Sequence, residues 1–318
     1  MTNYLRRTNY LRRFLISHAA LAVLLAVILF APKKRPLLQG PAALLTAIAV
    51  IELLFLYVYY RKIKQAQTEK AVVLTGPADI VTFVWVFLLA WELYTSVTAK
   101  GHPVLMPSPE NVFYTFYEQW RVMLLNIVYS MELLLAGMAI GLFLAVFLGL
   151  FCGWNKRLKA FAYPIANVMA PIPAIVISPY LVSLMPSFRS ASALVVILGV
   201  FWPQFLGTIN RIASIEPEIL DSARMMKLRE PVMLFQILLP YLIPGILSGL
   251  KVTMTTSVLM LNFAELMGAT HGMGYYIQNS ITYANYTHAV AGIIVIGLVV
   301  TLLGMGVSWI QKTFIRWR

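Results

Sequence analysis

Long apolar runs separated by short polar stretches dominate the 318-residue chain. A helix needs about 20 mainly apolar residues to cross a bilayer. The run at 122–154 is longer than a crossing requires, so we expect it to tilt or to begin at the interface. The pattern predicts an all-α, polytopic membrane protein with about eight transmembrane helices. We place these helices at about 14–31, 41–60, 79–99, 122–154, 161–185, 191–210, 241–267 and 289–311.

Composition supports this interpretation. Apolar residues make up 60% of the chain and charged residues 12%, whereas about a quarter of a soluble domain is charged. The net charge of +13 argues little for nucleic-acid binding, because the basic residues lie in short clusters between apolar runs. Cys152 is the one cysteine, which excludes an intrachain disulfide and a cysteine-based metal site. We expect this chain to bind no metal or cofactor itself.

The distribution of Lys and Arg predicts the orientation. With the N-terminus inside, eighteen of the 25 basic residues fall on the inner side and six on the outer side. Lys251 lies within a predicted span. This bias predicts that both termini are cytoplasmic. The outer cluster Lys33-Lys34-Arg35 runs against the bias.

The longest inner loop, residues 214–231, has the features of a short helix. Its opening at 216–218 is Glu-Pro-Glu, and proline and acids favour the first turn of a helix. Basic residues follow at 224–229, and Pro231 is expected to end the helix. The pattern is compatible with a rigid contact for a cytoplasmic partner and with a helix lying on the lipid surface.

The continuation of this loop resembles the binding-protein-dependent permeases of ABC importers. The family's motif has E-A-A, a G four residues later, and I-x-L-P after nine more. The spacing is intact here, with Asp, Ser and Lys in place of Glu, the first Ala and Gly. The matching positions are Asp221, Ser222, Ala223, Lys227, Ile237, Leu239 and Pro240.

Further segments are similar to the nitrate, sulfonate and taurine branch of that family. The resemblance covers about residues 79–318, which we expect to form the permease domain. Residues 1–78 are expected to be an N-terminal extension with two candidate spans. The similar segments are W-E-L at 91–93, L-M-P-S-P at 105–109, P-I-P at 171–173, A-E-L-M-G at 264–268 and the C-terminal Arg316-Trp317.

The resemblance implies a set of partners. The 216–240 loop, which includes Glu218 and Leu228, would act as a cytoplasmic coupling helix for a separate ABC ATPase, which would bind the ATP. An extracytoplasmic substrate-binding protein and a second permease copy would complete a complex in the bacterial cell membrane. The implied substrate is a small organic or inorganic anion, such as a sulfonate, taurine or nitrate.

Four acidic residues lie in or near predicted spans: Glu52, Glu92, Glu132 and Glu265. A carboxylate at the centre of a bilayer costs at least about 2.5 kcal/mol, so these residues should face other helices or the interface. Glu265 also matches a family segment, and we predict a role in the pathway or its gate. The alternative for Glu265 is a helix-packing hydrogen bond.

Three prolines in one predicted span, Pro171, Pro173 and Pro179, predict a kinked helix that lines the pathway, because proline frees backbone carbonyls. Glycine pairs at 137/141, 149/153 and 245/249 predict close helix contacts. The polar stretch 268–285 is expected to be a re-entrant element or an outer loop.

No nucleotide-binding G-x-x-x-x-G-K-[ST], G-x-S-x-G or H-E-x-x-H sequence is present. We therefore expect a non-enzyme that does not hydrolyse ATP itself. Two other classes remain open at this point. A secondary transporter driven by an ion gradient would show inverted repeats, and a membrane-embedded enzyme would show clustered polar catalytic residues.

Overall fold

Helices form most of the part of the chain that the structure describes. The computed structural model describes residues 2–35, 40–68, 75–216, 218, 225 and 229–314, and no strand occurs among them. A π-helical turn, Leu93–Val97, continues α3, and another, Met233–Leu238, lies within α9. The helices are α1 (Thr2–Phe30), α2 (Ala42–Thr68), α3 (Thr75–Glu92), α4 (Pro109–Glu118), α5 (Trp120–Trp154), α6 (Lys156–Met169), α7 (Ala174–Leu184), α8 (Phe188–Ala213), α9 (Glu230–Leu266), α10 (Met273–Thr282) and α11 (Tyr286–Phe314).

Seven helices in the described ranges are long and apolar enough to cross a membrane: α1, α2, α3, α5, α8, α9 and α11. Helices α6 and α7 qualify only as a pair, which raises the number to eight if the pair forms one crossing. The predicted all-α fold with about eight spans is confirmed.

The predicted single helix over 161–185 is wrong. Helices α6 and α7 meet at an angle of 94°. Pro171 and Pro173 lie in the break between them. Each lacks a backbone N–H, and each disfavours a helical conformation in the preceding residue. Two prolines in three residues therefore break this helix rather than kink it, whereas Pro179 lies inside α7.

The predicted start of a span near residue 241 is also wrong, because α9 already begins at Glu230. Pro231 lies in its first turn, where a missing N–H costs no hydrogen bond. Residues 230–240 of the predicted loop are thus helical. The π-helical turn ends two residues before Pro240, and the carbonyl that the proline ring would clash with, that of Gln236, lies in this turn.

The polar stretch after α9 contains the ten-residue helix α10. It is too short to cross a bilayer, in agreement with the prediction that 268–285 is no span. Its assignment as a re-entrant element or an outer loop stays a prediction.

The chain forms two compact units, Met1–Trp120 with Ser280–Ala291, and Arg121–Asn279 with Gly292–Arg318. In the first unit, Leu24 and Leu44 share an apolar core with Trp85 and Leu88. Glu52 faces another helix, as predicted, since its Oε1 lies 3.0 Å from Nε2 of His18. The predicted boundary near residue 78 stays a prediction.

The outer cluster at 33–35 belongs to the first unit, where the side chains of Lys33 and Arg35 have partners. The Lys33 ammonium contacts the buried carboxylates of Glu92 and Glu110, and its distance to Glu110 Oε1 is 2.6 Å. The Arg35 guanidinium donates to the carbonyls of Gly101 and Met106. These contacts explain why the cluster can run against the charge bias.

In the second unit, a row of small residues on α5 lies directly against α8. A Cβ added to Gly137 would lie 2.8 Å from Val196, and one added to Gly149 would lie 2.8 Å from Thr208. Between them, Ala145 is fully buried. The predicted close contacts at 137/141 and 149/153 are therefore confirmed, since larger side chains would push the two helices apart.

Candidate functional site

The residues predicted to contact an ATPase fall largely outside the described part of the chain. Asp221, Ser222, Ala223, Lys227 and Leu228 all lie outside it. The structure does describe Glu218, which is exposed.

The other predicted coupling residues lie on the first turns of α9. Ile237 and Leu239 pack against a buried apolar cluster, and Pro240 is exposed. This cluster is formed by residues at the end of α5, at and just after the end of α8, and at the start of α9. We call it the loop-base cluster, and its buried members are Leu150, Ile212, Ile215, Met233, Leu234, Leu238, Leu242 and Ile246.

A polar contact also joins α8 to α9 next to this cluster. The guanidinium of Arg211 donates a 3.2 Å hydrogen bond from Nη2 to the Gly245 carbonyl. A Cβ at Gly245 would lie 3.0 Å from Nε of Arg211. Glycine therefore allows the charged side chain to lie along the backbone of α9, and the hydrogen bond joins the end of α8 to the first half of α9.

The predicted pathway prolines lie at and after the α6–α7 bend. Pro171, Pro173 and Pro179 are all exposed in the single chain. Because these prolines are exposed where the helix is broken, the backbone groups near them can face a cavity or a neighbouring chain. Whether they line a pathway stays a prediction.

Glu265, in the last turn of α9, is 1% exposed. Its Oε1 accepts a 2.7 Å hydrogen bond from the Ser130 hydroxyl on α5. Its Oε2 accepts a 2.8 Å hydrogen bond from the backbone N–H of Gly274 at the start of α10. The first N–H groups of a helix lack partners within the helix and favour a negative charge.

Two further side chains of α5 bind the neighbouring backbone. The Gly272 N–H donates to Oδ1 of Asn126 at 2.8 Å, and the Met273 N–H donates to the Ser130 hydroxyl at 2.9 Å. Three successive N–H groups, at residues 272–274, are therefore bonded to side chains of α5 and α9. We call Asn126, Ser130, Glu265 and residues 272–274 the carboxylate latch.

The carboxylate latch requires a glycine at position 272. Its φ is +116°, which side chains rarely adopt, and a Cβ there would lie 2.4 Å from the Glu265 carboxylate. Of the latch residues, Glu265 was predicted from the sequence, whereas Asn126 and Ser130 were not. Their signal was present, because polar residues four apart in an apolar helix share one face.

The long apolar helices, the apolar loop-base cluster and the polar carboxylate latch together define a multi-pass α-helical membrane protein. The chain belongs to a family of ABC transporter permeases described as the binding-protein-dependent transport system inner membrane component, whose profile matches residues 141–318.

Individual relatives agree with the family. SsuC of Bacillus subtilis, whose name describes an aliphatic sulfonates transport permease, is 24% identical over 73% of this chain and 85% of its own length. The formylaminopyrimidine transport permease ThiX of Halalkalibacterium halodurans is 22% identical, over 74% and 94%. The bicarbonate permease CmpB of Synechococcus elongatus is 22% identical, over 72% and 86%. The predicted family and branch are confirmed, and these relatives are transport permeases rather than enzymes.

The fold is also similar to a solved transporter. An inward-facing structure of the MetNI methionine ABC transporter matches with a TM-score of 0.50 and 19% identity, over 63% of this chain and 97% of that chain. At this identity the similarity concerns the fold alone.

Proposed function

We propose that this chain forms the translocation pathway of an ABC importer and couples to a separate cytoplasmic ATPase through the 216–240 loop. ATP is bound by that ATPase, and an extracytoplasmic binding protein delivers the solute. A second copy of this chain completes the pathway. Both termini are cytoplasmic, which agrees with the charge bias along the sequence.

The observation that carries the coupling proposal is the loop-base cluster. Both ends of the loop are packed into it, at Ile215 on one side and Met233 on the other, together with Leu150 of α5. Protein interiors are close-packed and transmit displacement rather than absorb it. Movement of the docked loop would therefore displace the ends of α5, α8 and α9 together.

Helix α9 links this cluster to the carboxylate latch. It has 37 residues, which corresponds to a contour length of about 55 Å at 1.5 Å per residue. Its first turns lie in the loop-base cluster, and Glu265 lies in its last turn. In our proposal, ATPase closure moves α9 and changes the hydrogen bonds that hold residues 272–274. Glu265 thus acts in gating through the backbone it binds.

The proposed substrate is a small organic or inorganic anion, such as a sulfonate, taurine or nitrate. Two relatives have names that specify aliphatic sulfonates and bicarbonate, which are anions. A third has a name that specifies a pyrimidine, so the ligand screen must include neutral heterocycles. The pathway residues we assign are Pro171, Pro173, Pro179 and Glu265, the last as a gating residue.

Affinity purification from the native membrane tests the proposal. The expected result is co-purification of a P-loop ATPase, whose hydrolysis is stimulated by a ligand-loaded binding protein after reconstitution into liposomes. The binding protein can then be screened by thermal shift against sulfonates, taurine, nitrate, bicarbonate and pyrimidines. Solute uptake by the isolated chain under an ion gradient would instead establish the alternative, a secondary transporter.

A further inference from the structure

Lys251 is a charged residue within the membrane-spanning helix α9, and its side chain is exposed. An ammonium group in a span is costly and is normally paired or placed at a functional site. Among the residues that the structure describes, no acidic side chain forms an ion pair with Lys251. The charge therefore lacks a protein anion in the described ranges.

Lys251 lines a pocket of about 560 Å³ between α9 and α11. Lys312 lines it too, so two ammonium groups share one pocket, and no Asp or Glu is among its lining residues. The lysine stem passes Gly304 at van der Waals distance, since a Cβ there would lie 3.4 Å from Cε of Lys251. The remaining polar lining consists of Thr255, Thr301 and Ser308.

These hydroxyl groups currently donate to their own helices. Thr255 donates to the Lys251 carbonyl at 3.0 Å, and Thr301 donates to the Gly297 carbonyl at 2.8 Å. Such bonds to the preceding turn are weak, and a hydroxyl rotates freely. An anion held by the two ammonium groups could therefore receive hydroxyl donors as well, whereas a cation would meet two like charges.

The surroundings of the pocket indicate an amphipathic ligand. Trp309, which lines the pocket, is 69% exposed, and exposed tryptophan is typical of a membrane–water boundary. Large apolar side chains of the same two helices are exposed as well. Val252 follows Lys251 directly, Met305 lines the pocket, and Leu302 lies about one turn before Met305. Gly304 precedes Lys312 by eight residues, or about 12 Å along α11. The site thus extends from the boundary into the apolar region.

We propose that this pocket binds the phosphate head group of an anionic phospholipid, with the acyl chains along Val252, Leu302 and Met305. The singly charged phosphodiester lies between Lys251 and Lys312 and offsets part of their charge, and the apolar rim distinguishes a lipid from a soluble oxyanion. Basic pockets between membrane helices recognise acidic head groups in this way. This inference concerns lipid binding and holds independently of ATPase coupling or transport.

Binding of dioleoyl phosphatidylglycerol to the purified full-length chain, measured by native mass spectrometry, tests the proposal. Each lysine near the surface contributes roughly fivefold in affinity, so Lys251→Met/Lys312→Met should weaken binding about 25-fold. Lys156→Met/Lys159→Met removes the same charge from the start of α6 and should bind as the wild type does. Dioleoyl phosphatidylcholine should bind weakly to all three proteins.

Gly304→Leu fills the pocket without altering the charge, and we expect this variant to bind the lipid much more weakly. It provides the test if the double lysine variant does not fold. Glycerol 3-phosphate should not displace the lipid. Three results would overturn the proposal: unchanged lipid binding in both pocket variants, equal loss in the α6 control, or full displacement by glycerol 3-phosphate. The last would assign the pocket to a soluble oxyanion.

Discussion

The hydroxyl of Ser130 donates a 2.7 Å hydrogen bond to the carboxylate of Glu265, although 135 positions separate the two residues in the chain. Both groups are buried, and both also bind the backbone that leads into α10. A carboxylate buried in this way needs its donors, because an unsatisfied charged group in a protein interior is strongly destabilising. The end of α9, the middle of α5 and the start of α10 are therefore mechanically connected.

The substitution Glu265→Gln should slow transport by at least about tenfold while assembly with the ATPase persists. Glutamine can still accept from Ser130, but its NH₂ group would face the Gly274 N–H, and a hydrogen bond to a charged acceptor contributes about 1.5–3 kcal/mol. Uptake in proteoliposomes and co-purification measure the two effects. Glu132→Gln is the matched control, since Glu132 is exposed and pairs with Arg189 at the surface. Wild-type uptake by Glu265→Gln would reduce the residue to a packing role.

The substitution Gly272→Ala should destabilise the latch. A non-glycine residue at this φ costs about 1–3 kcal/mol, before the clash of its Cβ with the Glu265 carboxylate. We expect the thermal midpoint of the purified chain to fall by several degrees, at about 2–4 °C per kcal/mol. Gly306→Ala in α11 is the control, because a Cβ there meets no atom within 4 Å and should leave the midpoint unchanged or higher. Equal midpoints for both variants would contradict the latch.

The substitution Lys33→Met should destabilise the first unit by about 3–5 kcal/mol, because it leaves the buried carboxylates of Glu92 and Glu110 without their cation. Adding Glu110→Gln should restore part of this loss, as expected for residues in direct contact. The neighbouring Lys34→Met is the control, since Lys34 is exposed and its bond to Ser96 involves only the backbone N–H. Thermal unfolding of the four proteins measures the effect, and an unaltered Lys33→Met protein would refute it.

The substitution Ala223→Trp should prevent co-purification of the ATPase, because a bulky side chain would replace a small one at the proposed contact. The prediction rests on the spacing of the loop motif, and Ala223 itself lies outside the described residues. Ala160→Trp, at an exposed position in α6, is the control for a surface tryptophan and should retain the ATPase. Normal assembly of Ala223→Trp would remove the loop from its proposed role.

Much of the membrane topology was predictable because it depends on local properties. The length of an apolar run decides whether a helix can cross a bilayer, which is why the prediction of about eight spans agrees with the seven or eight counted over the described residues. The two failures also have local causes. Pro171 and Pro173 break the helix predicted for the fifth span. Pro231 was predicted to end a helix, but it lies in the first turn of the next one.

The candidate site was predictable only in part. Four acidic residues drew attention because a carboxylate near an apolar run is costly, and Glu265 stood out among them because it also matches a family segment. Its partner Ser130 did not, since a serine in a helix commonly bonds to the preceding turn and needs no distant acceptor.

The sequence by itself determined the class of protein, the all-α fold and the approximate number of spans, since hydrophobicity and charge act within a few residues. Only the tertiary structure decided which polar groups meet. Lys33 lies 77 positions from Glu110, and Ser130 lies 135 positions from Glu265. Such pairings depend on which helix faces pack together, which no local pattern specifies, and a buried polar group is stable only where that packing supplies its partner.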